Sequence, residues 1–491
     1  MTRLPRSVAP VTALLGAVLL AACSPAGREP TLNEAAPAAV DSTQWPSYHR
    51  DAAHSGYQPG MPSPSPLRAA WKAPLDGVVQ ASPLVVGDLV IAATENNTVY
   101  GLRRTTGAVV WSRHLAAPVP AASLPCGNIT PTVGITGTPV FDSNTGQVFA
   151  VTTSPNGSSL QHDLVGLEAR TGRLTIRRTV DATGSDPVVE NQRGALGIAN
   201  GRILVPYGGH AGDCGDYHGY LVSVLSKDGT GLNTFRVGTA QEAGLWQPSG
   251  PAVDRAGIAY VVAGNGSATG GAYDGSDSVN AVDPATGRLL SRFAPAGWAA
   301  ENAQDLDLGS SGAALVGDKI WVQGKTSTGY LLRRGALGGI GHPLQTLNGA
   351  CATQFGGPAV HNNVVFAPCT DGVRQLVLRS DGTIVAGWRA PPAVTGSPVV
   401  GAGLVWSLDP AGGVLYALGE GSGRVFSRIA VGPTVRFATP ARCPATWSSY
   451  RPGVASPPSA VADPCAAPTG HRHGAHGRRR PILLPSQTNG S

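Results

Sequence analysis

Two carboxylates and a lysine lie close together in one stretch of the chain: Asp305 and Asp307 in QDLDLGSSG, and Lys325 in GKTSTGYLL. A carboxylate can take a proton from a reacting hydroxyl, and an ammonium can hold an oxygen as its charge develops. Lysine is scarce here, only Lys72, Lys227, Lys319 and Lys325, so its position after the carboxylates stands out. The same residues have a plainer reading. An Asp pair can cap a loop, and a lysine at a strand end is ordinary. Residues 305–332 also contain a Gly/Ser bend and two alternating strands, so the stretch reads equally as one unit of a repeat.

The repeat is the element that must position these groups. Residues 82–111, SPLVVGDLVIAATENNTVYGLRRTTGAVVW, read as four short β-branched strands separated by GD, ENN and TTG turns. The plan recurs at 137–177, 195–236, 250–293, 312–339, 357–389 and 397–428. Seven such units predict an all-β, eight-bladed β-propeller with four-stranded antiparallel blades, seven of them clear and the eighth truncated or disrupted. A loop-rich chain with 66 Gly and 41 Pro suits that class. LRAAWKAPL (67–75) reads as an outermost strand without a blade, able to close the ring against the C-terminus.

The C-terminal partner starts with VRFATP (435–440), then the pattern stops at ARCPATWSSYRPGVAS. Two explanations stay open. One is a frame change, since GC-rich codons for this segment can be written to give ALSGDVVVVPTGGGV in another frame. The other is a disordered tail over 441–491. His471, His473 and His476 in that tail lack the preset geometry of a metal site. An unclosed ring would splay any site on its axis, which weighs against catalysis.

The N-terminus carries Arg3 and Arg6, an apolar run and the sequence LAAC ending at Cys23. This is a secretory signal that resembles a bacterial lipobox, so residues 1–22 are expected to be cleaved and Cys23 lipidated. The expected result is an exported chain anchored to the membrane and facing the extracytoplasmic side. Residues 23–44, rich in Pro, Ala and Ser, read as a flexible tether. The formal charge is +6, yet 441–491 hold six Arg against one Asp, so the body is nearly neutral and offers no nucleic-acid face. Export makes disulfides the expected state of cysteine. The preferred pairs are Cys126–Cys214 and Cys351–Cys369. There is no adjacent Cys-Cys pair and no C-x-x-C-H haem motif.

GLRRTTGAVVW (101–111), GLEARTGRL and AVDPATGRLL resemble the A-x-D-x-x-T-G-x-x-x-W pattern of the pyrroloquinoline-quinone (PQQ) type repeat. Of these, only the first keeps the Trp. WPSYHRDAAHSGY (45–57) is similar to the opening of such propellers, and the resemblance covers residues 45–440. In PQQ-dependent dehydrogenases a Trp stacks on the quinone, an acidic residue and an Asn hold Ca²⁺, an Asp is the base, and Arg or Lys holds the quinone oxygens. Carried over by motif, that implies Trp246 as the stacking ring, Asn265 with Asp213 or Asp216 on the metal, Asp305 or Asp307 as base, and Lys325 on the quinone. Departures are plain: no Glu stands in register as acidic ligand, and Leu306 replaces the usual Trp before the second Asp. Non-catalytic propellers of the outer-membrane-assembly lipoprotein type share the blades without the quinone. Trp246 can equally pack a blade and Asn265 equally form a turn. The sequence therefore supports two functions: a binding or scaffold propeller with a protein or small-ligand partner on its top face, or a PQQ- and calcium-dependent alcohol dehydrogenase, intact or degenerate. No nucleophile motif supports hydrolysis of a polysaccharide.

Overall fold

The computed structural model describes residues 40–61, 68–443, 446–450 and 459–462. The expected signal peptide, Cys23, most of the tether and the tail histidines lie outside the described residues. Among the described residues no helix is long and apolar enough to cross a membrane.

Seven four-stranded antiparallel blades follow one another at residues 84–114, 140–179, 197–236, 252–294, 314–348, 359–389 and 399–430, here blades 1 to 7. Each matches one repeat unit of the sequence. The fourth strand of blade 5 is the exception: Gln345–Asn348 pairs with Thr328–Arg333, beyond the unit's expected end. Apolar alternation puts one face of each blade against the next. Phe149, Val151 and Leu164 of blade 2, for example, pack with Ile203, Val205 and Val222 of blade 3, all within 1% of full burial.

The T-G-x-x-x-W pattern acquires a physical role. Trp111, on the outer strand of blade 1, donates Nε1–H to Ala169 O at 3.1 Å and covers Gly172 in the turn of blade 2. Gly172 has φ +68°, and a Cβ there would lie 2.4 Å from the indole. Only glycine suits both conditions. The same lock is made twice more. Trp71 covers Gly107 of blade 1 with Nε1–H on Arg104 O, and Trp388 covers Gly423 of blade 7 with Nε1–H on Glu420 O.

Past residue 440 the described residues hold three further short strands. Strands Ala441–Cys443, Thr446–Tyr450 and Ser459–Ala462 form a sheet whose outer strand is Trp71–Pro74, with Trp71 opposite Ala462. The 441–491 segment is thus not strand-free. Backbone hydrogen bonds make this pairing, and they need no side-chain alternation, so the sequence pattern does not announce it. This sheet stands beside the seven continuous blades, and Ala441 shares a core cluster with Val85 of blade 1 and Val399 of blade 7.

Residues 45–57 run through the middle of the ring. Trp45 bridges to Val85 of blade 1, Pro46 O accepts Phe141 N–H of blade 2, and Ala52 O accepts Val253 N–H of blade 4. Ser55 O and Gly56 O accept from Val360 and Val400 of blades 6 and 7. One short segment that touches five blades lies on the axis. Tyr48, His49 and His54 fill this plug; burial lowers both imidazoles to about 3, so they sit neutral in the core.

Both expected disulfides form, Cys126–Cys214 and Cys351–Cys369. The second lies inside the blade 5–6 core. The first joins the loop after blade 1 to the loop at 210–219.

Candidate cofactor site

Above the plug the axis opens into a cavity of about 740 Å³. Its walls come from segments far apart in sequence: the loop 210–219 of blade 3, the loop 263–278 of blade 4, the helix Trp298–Ala303 with the turn after it, and the chain just past Lys319–Gln323 of blade 5. Trp246, Asn265, Asp305, Asp307, Lys325 and Asp213 all line this one cavity.

Five of the six are bonded to one another. Asp307 is buried, and its Oδ1 accepts the Trp246 Nε1–H at 3.2 Å and the Asn265 N–H at 2.9 Å. Its Oδ2 lies 2.5 Å from Lys325 Nζ. Asp305 Oδ1 accepts from Lys325 Nζ at 2.6 Å and from Asn265 Nδ2 at 2.9 Å. Burial pushes the Asp307 carboxyl up, opposed by Lys325 and its N–H donors. Burial also works against the Lys325 charge, yet the two carboxylates outweigh it and hold the ammonium above its ordinary value. Glycine makes the close approach possible: a Cβ on Gly264 would stand 2.2 Å from Asp307 Oδ1 and 2.9 Å from Trp246 Nε1.

Beneath the network Asp277 accepts Leu308 N–H at 2.9 Å, and burial raises its carboxyl to about 9. It is a protonated group at neutral pH and ties the turn after Asp307 to blade 4.

Asp213 faces the cavity, its Oδ1 accepting Tyr217 OH at 2.7 Å. Asp216 does not. Its side chain is 76% exposed, with His218 Nε2 at 3.5 Å, so its nomination as a metal ligand is corrected. Cys214 is tied to Cys126 and Gly215 has φ +77°, and between them the chain turns outward before Asp216. The cavity also holds residues that the motifs did not single out: Arg193, Glu242, Asn302, Phe355, Arg436 and Phe437. Glu242 stands four residues before Trp246, and Arg436–Phe437 sit in the VRF that was read only as a strand. Spacing alone could not bring them to the axis.

The donor set suits a quinone cofactor with a hard cation in part. Asn265 Oδ1 is buried without a hydrogen-bond partner, and Asp213 and Glu242 offer carboxylate oxygens on the same cavity. Oxygen ligands of this kind suit Ca²⁺. The acids are not gathered into a cage. Among the described residues the one acid-containing cluster close enough to share an ion is Cys351, Cys369 and Asp371, and there the two sulfurs form a disulfide.

Fold and repeat define an all-β propeller of four-stranded blades, with motifs that resemble the PQQ-type repeat. A family model described as outer membrane protein assembly factor BamB matches residues 68–205. A polyvinylalcohol dehydrogenase from Sphingopyxis sp. (strain 113P3) is 28% identical over 253 residues, 45% of this chain and 34% of that protein. The match thus spans about a third of the curated relative. Among solved structures, a quinohemoprotein alcohol dehydrogenase from Pseudomonas putida HK5 superposes with TM-score 0.65 at 13% identity, over 88% of this chain and 82% of that one. A europium-containing methanol dehydrogenase gives 0.64 at 16%, over 84% and 90%. BamB from Moraxella catarrhalis gives 0.53 at 16%, over 81% and 99%. These structural likenesses establish the fold.

Proposed function

We propose that the chain is an exported propeller that binds PQQ in its axial cavity together with a calcium-like cation, and that it oxidises an alcohol there. The observation that carries this reading is the convergence of six motif-nominated residues, from separate segments, on one cavity of about 740 Å³. Bound PQQ would supply a two-electron acceptor. Trp246 offers a flat ring to lie against it. Asn265 Oδ1, Glu242 and Asp213 are the oxygens available to the cation.

The two aspartates divide the remaining work. Asp307 is fully engaged: Trp246, Asn265 and Lys325 use both its oxygens. It positions Lys325 and the indole. Asp305 is 76% exposed, and both its described bonds fall on Oδ1. Oδ2 is left to accept the hydroxyl proton, which makes Asp305 the base.

The test is reconstitution. Full-length protein with PQQ and Ca²⁺ should reduce an artificial dye when given alcohols, and Asp305→Asn should keep PQQ binding while losing turnover. Turnover that survives in Asp305→Asn removes the assignment of the base.

A second reading is a binding or scaffold module with a protein partner, favoured by the BamB match over residues 68–205. Failure of the folded chain to take up PQQ would select it. Under both readings Cys23 carries the lipid that tethers the chain, and Cys23→Ser should release it from the membrane fraction. Two disulfides fit an oxidising, extracytoplasmic location.

A further inference from the structure

We infer that the end of the ring opposite the cavity docks on an anionic lipid bilayer at the rim of blades 7 and 1, so that the cavity faces away from the membrane. The inference rests on the reading of Cys23 as the lipid anchor. Strand alternation sends the connections between second and third strands to one end of the ring and the other two turns of each blade to the opposite end. The cavity lies at the first end, with Asp213, Asn265 and Lys325 on three of those connections. At the opposite end the turns are tied together, Arg104 N–H to Asp88 O in blade 1 and Glu420 N–H to Gly403 O in blade 7. The chain also leaves here. Trp45 bridges to Val85 of blade 1, and Ser42 O accepts from Gln58 Nε2 at 2.6 Å, with Gln58 opposite Gly401 of blade 7. Residues 23–40 span at most roughly 60 Å. That length lets either end of the ring approach a bilayer, so surface chemistry must choose.

Charge chooses the turn end. Its connections, between first and second and between third and fourth strands, hold eight Arg or Lys against six Asp or Glu. Two of those acids, Asp88 and Asp318, pair with Arg103 and Lys319 on the bordering strands. The connections between second and third strands hold Lys325 against six acids. The ring is thus polarised although the body is nearly neutral, and an anionic surface attracts the turn end and repels the cavity end. Apolar exposure then selects the rim. The outer strands of blades 1, 4 and 7 carry a β-bulge at the same place, and the extra residue is Val110, Leu290 or Phe426; blade 2 has Thr175 there. A bulge re-aims such a side chain away from the ladder. Phe426 is 63% exposed and Val425 46%, while Val109 and Val110 are at 52% and 42%. Leu290 lacks such a neighbour, because Leu289 packs on the blade 4 core. Blades 7 and 1 are the two that meet Trp45 in one core cluster, so the apolar rim flanks the point where the chain leaves. Apolar side chains beside cations bind an anionic bilayer by entering the headgroup boundary while the cations meet the lipid phosphates.

Vesicle sedimentation of the mature chain, residues 23–491 with Cys23→Ser, tests this surface without the lipid. Vesicles of phosphatidylcholine with phosphatidylglycerol should bind the chain, and vesicles of phosphatidylcholine alone should not. Phe426→Asp should weaken binding at least about tenfold, since it removes a ring from the bilayer and adds a like charge. Arg424→Glu should weaken it several-fold. Leu290→Asp, at the same bulge position in blade 4, should leave it unchanged. All three positions are exposed, so the fold survives each change. Each variant also keeps the Arg-rich segment 441–491, whose own attraction to the vesicles is therefore constant across the set. Binding unchanged in Phe426→Asp, or lowered as much by Leu290→Asp, overturns the inference. No uptake on phosphatidylglycerol overturns it as well and leaves this face to a protein. The anchor reading fails separately: it is lost if the wild-type chain is recovered outside the membrane fraction of cells, whatever the vesicles show.

Discussion

Blades 4 and 7 share a strand plan but treat the same connection differently. Between the second and third strands, blade 7 uses the tight turn 410–413, while blade 4 uses the loop 263–278. Blade 7 makes that connection with Pro, Ala and Gly, which turn the chain and accept backbone bonds from Val431, Gly432 and Thr434. Blade 4 places Asn265 on Asp305 and Asp307 and sets Gly264 under the carboxylate. One fold can thus carry a plain blade and one whose loop lines the axial cavity, and the difference lies in the loop.

Breaking the buried charge network should have the largest effect. Lys325→Met leaves Asp307 buried without its cation, with side-chain exposures of 18% and 9% for the pair. We expect a loss of roughly 3 kcal/mol in chemical denaturation, the lower end for breaking a buried pair. The exposed pair Arg103–Asp88, at 49% and 73%, is the control: Arg103→Gln should change stability by less than about 0.5 kcal/mol. Equal losses in the two variants would deny that the cavity network is special.

Gly264→Ala should come next, with a cost of about 1–3 kcal/mol because its Cβ must displace Asp307 or Trp246. Gly421→Ala in blade 7 meets nothing within 4 Å and should be neutral within about 0.5 kcal/mol. Thermal unfolding of both variants compares the crowded loop of blade 4 with the open turn at 420–424 of blade 7.

The last comparison concerns pH and reads a slope and not a single loss. The folded Asp277 value, about 9, lies above the ordinary carboxylate range. The folded state therefore holds this proton more tightly than the unfolded chain. Its contribution is full at low pH and is lost as pH rises toward 9. Asp277→Asn keeps an acceptor for Leu308 N–H and should flatten the decline in stability between about pH 5 and pH 9. An unchanged slope would show that Asp277 is not the group responsible.

Much of this was legible in the residues. The GD, ENN and TTG turns fixed the seven chain-continuous blades, because Gly and Asn at those points mark where strands must reverse. The motifs around Trp246, Asn265, Asp305 and Lys325 pick out residues that the fold brings to one cavity. Two features were hidden for different reasons. The strands after Pro440 pair with Trp71–Pro74, but ARCPATWSSYRPGVAS has no apolar alternation to read. Arg193 and Arg436 reach the cavity through ring closure, which brings residues 193 and 436 together while sequence spacing keeps them apart. Asp216 failed for a local reason, since two residues beyond the Cys126–Cys214 bond the loop already faces outward.

Hydrogen exchange on the full chain, with and without PQQ and Ca²⁺, tests the central claim most directly. The account predicts slower amide exchange at 263–278 and at 302–308 when PQQ is added, and no change at 410–413. Unchanged exchange at the blade 4 loop, or protection confined to blade 7, would contradict it.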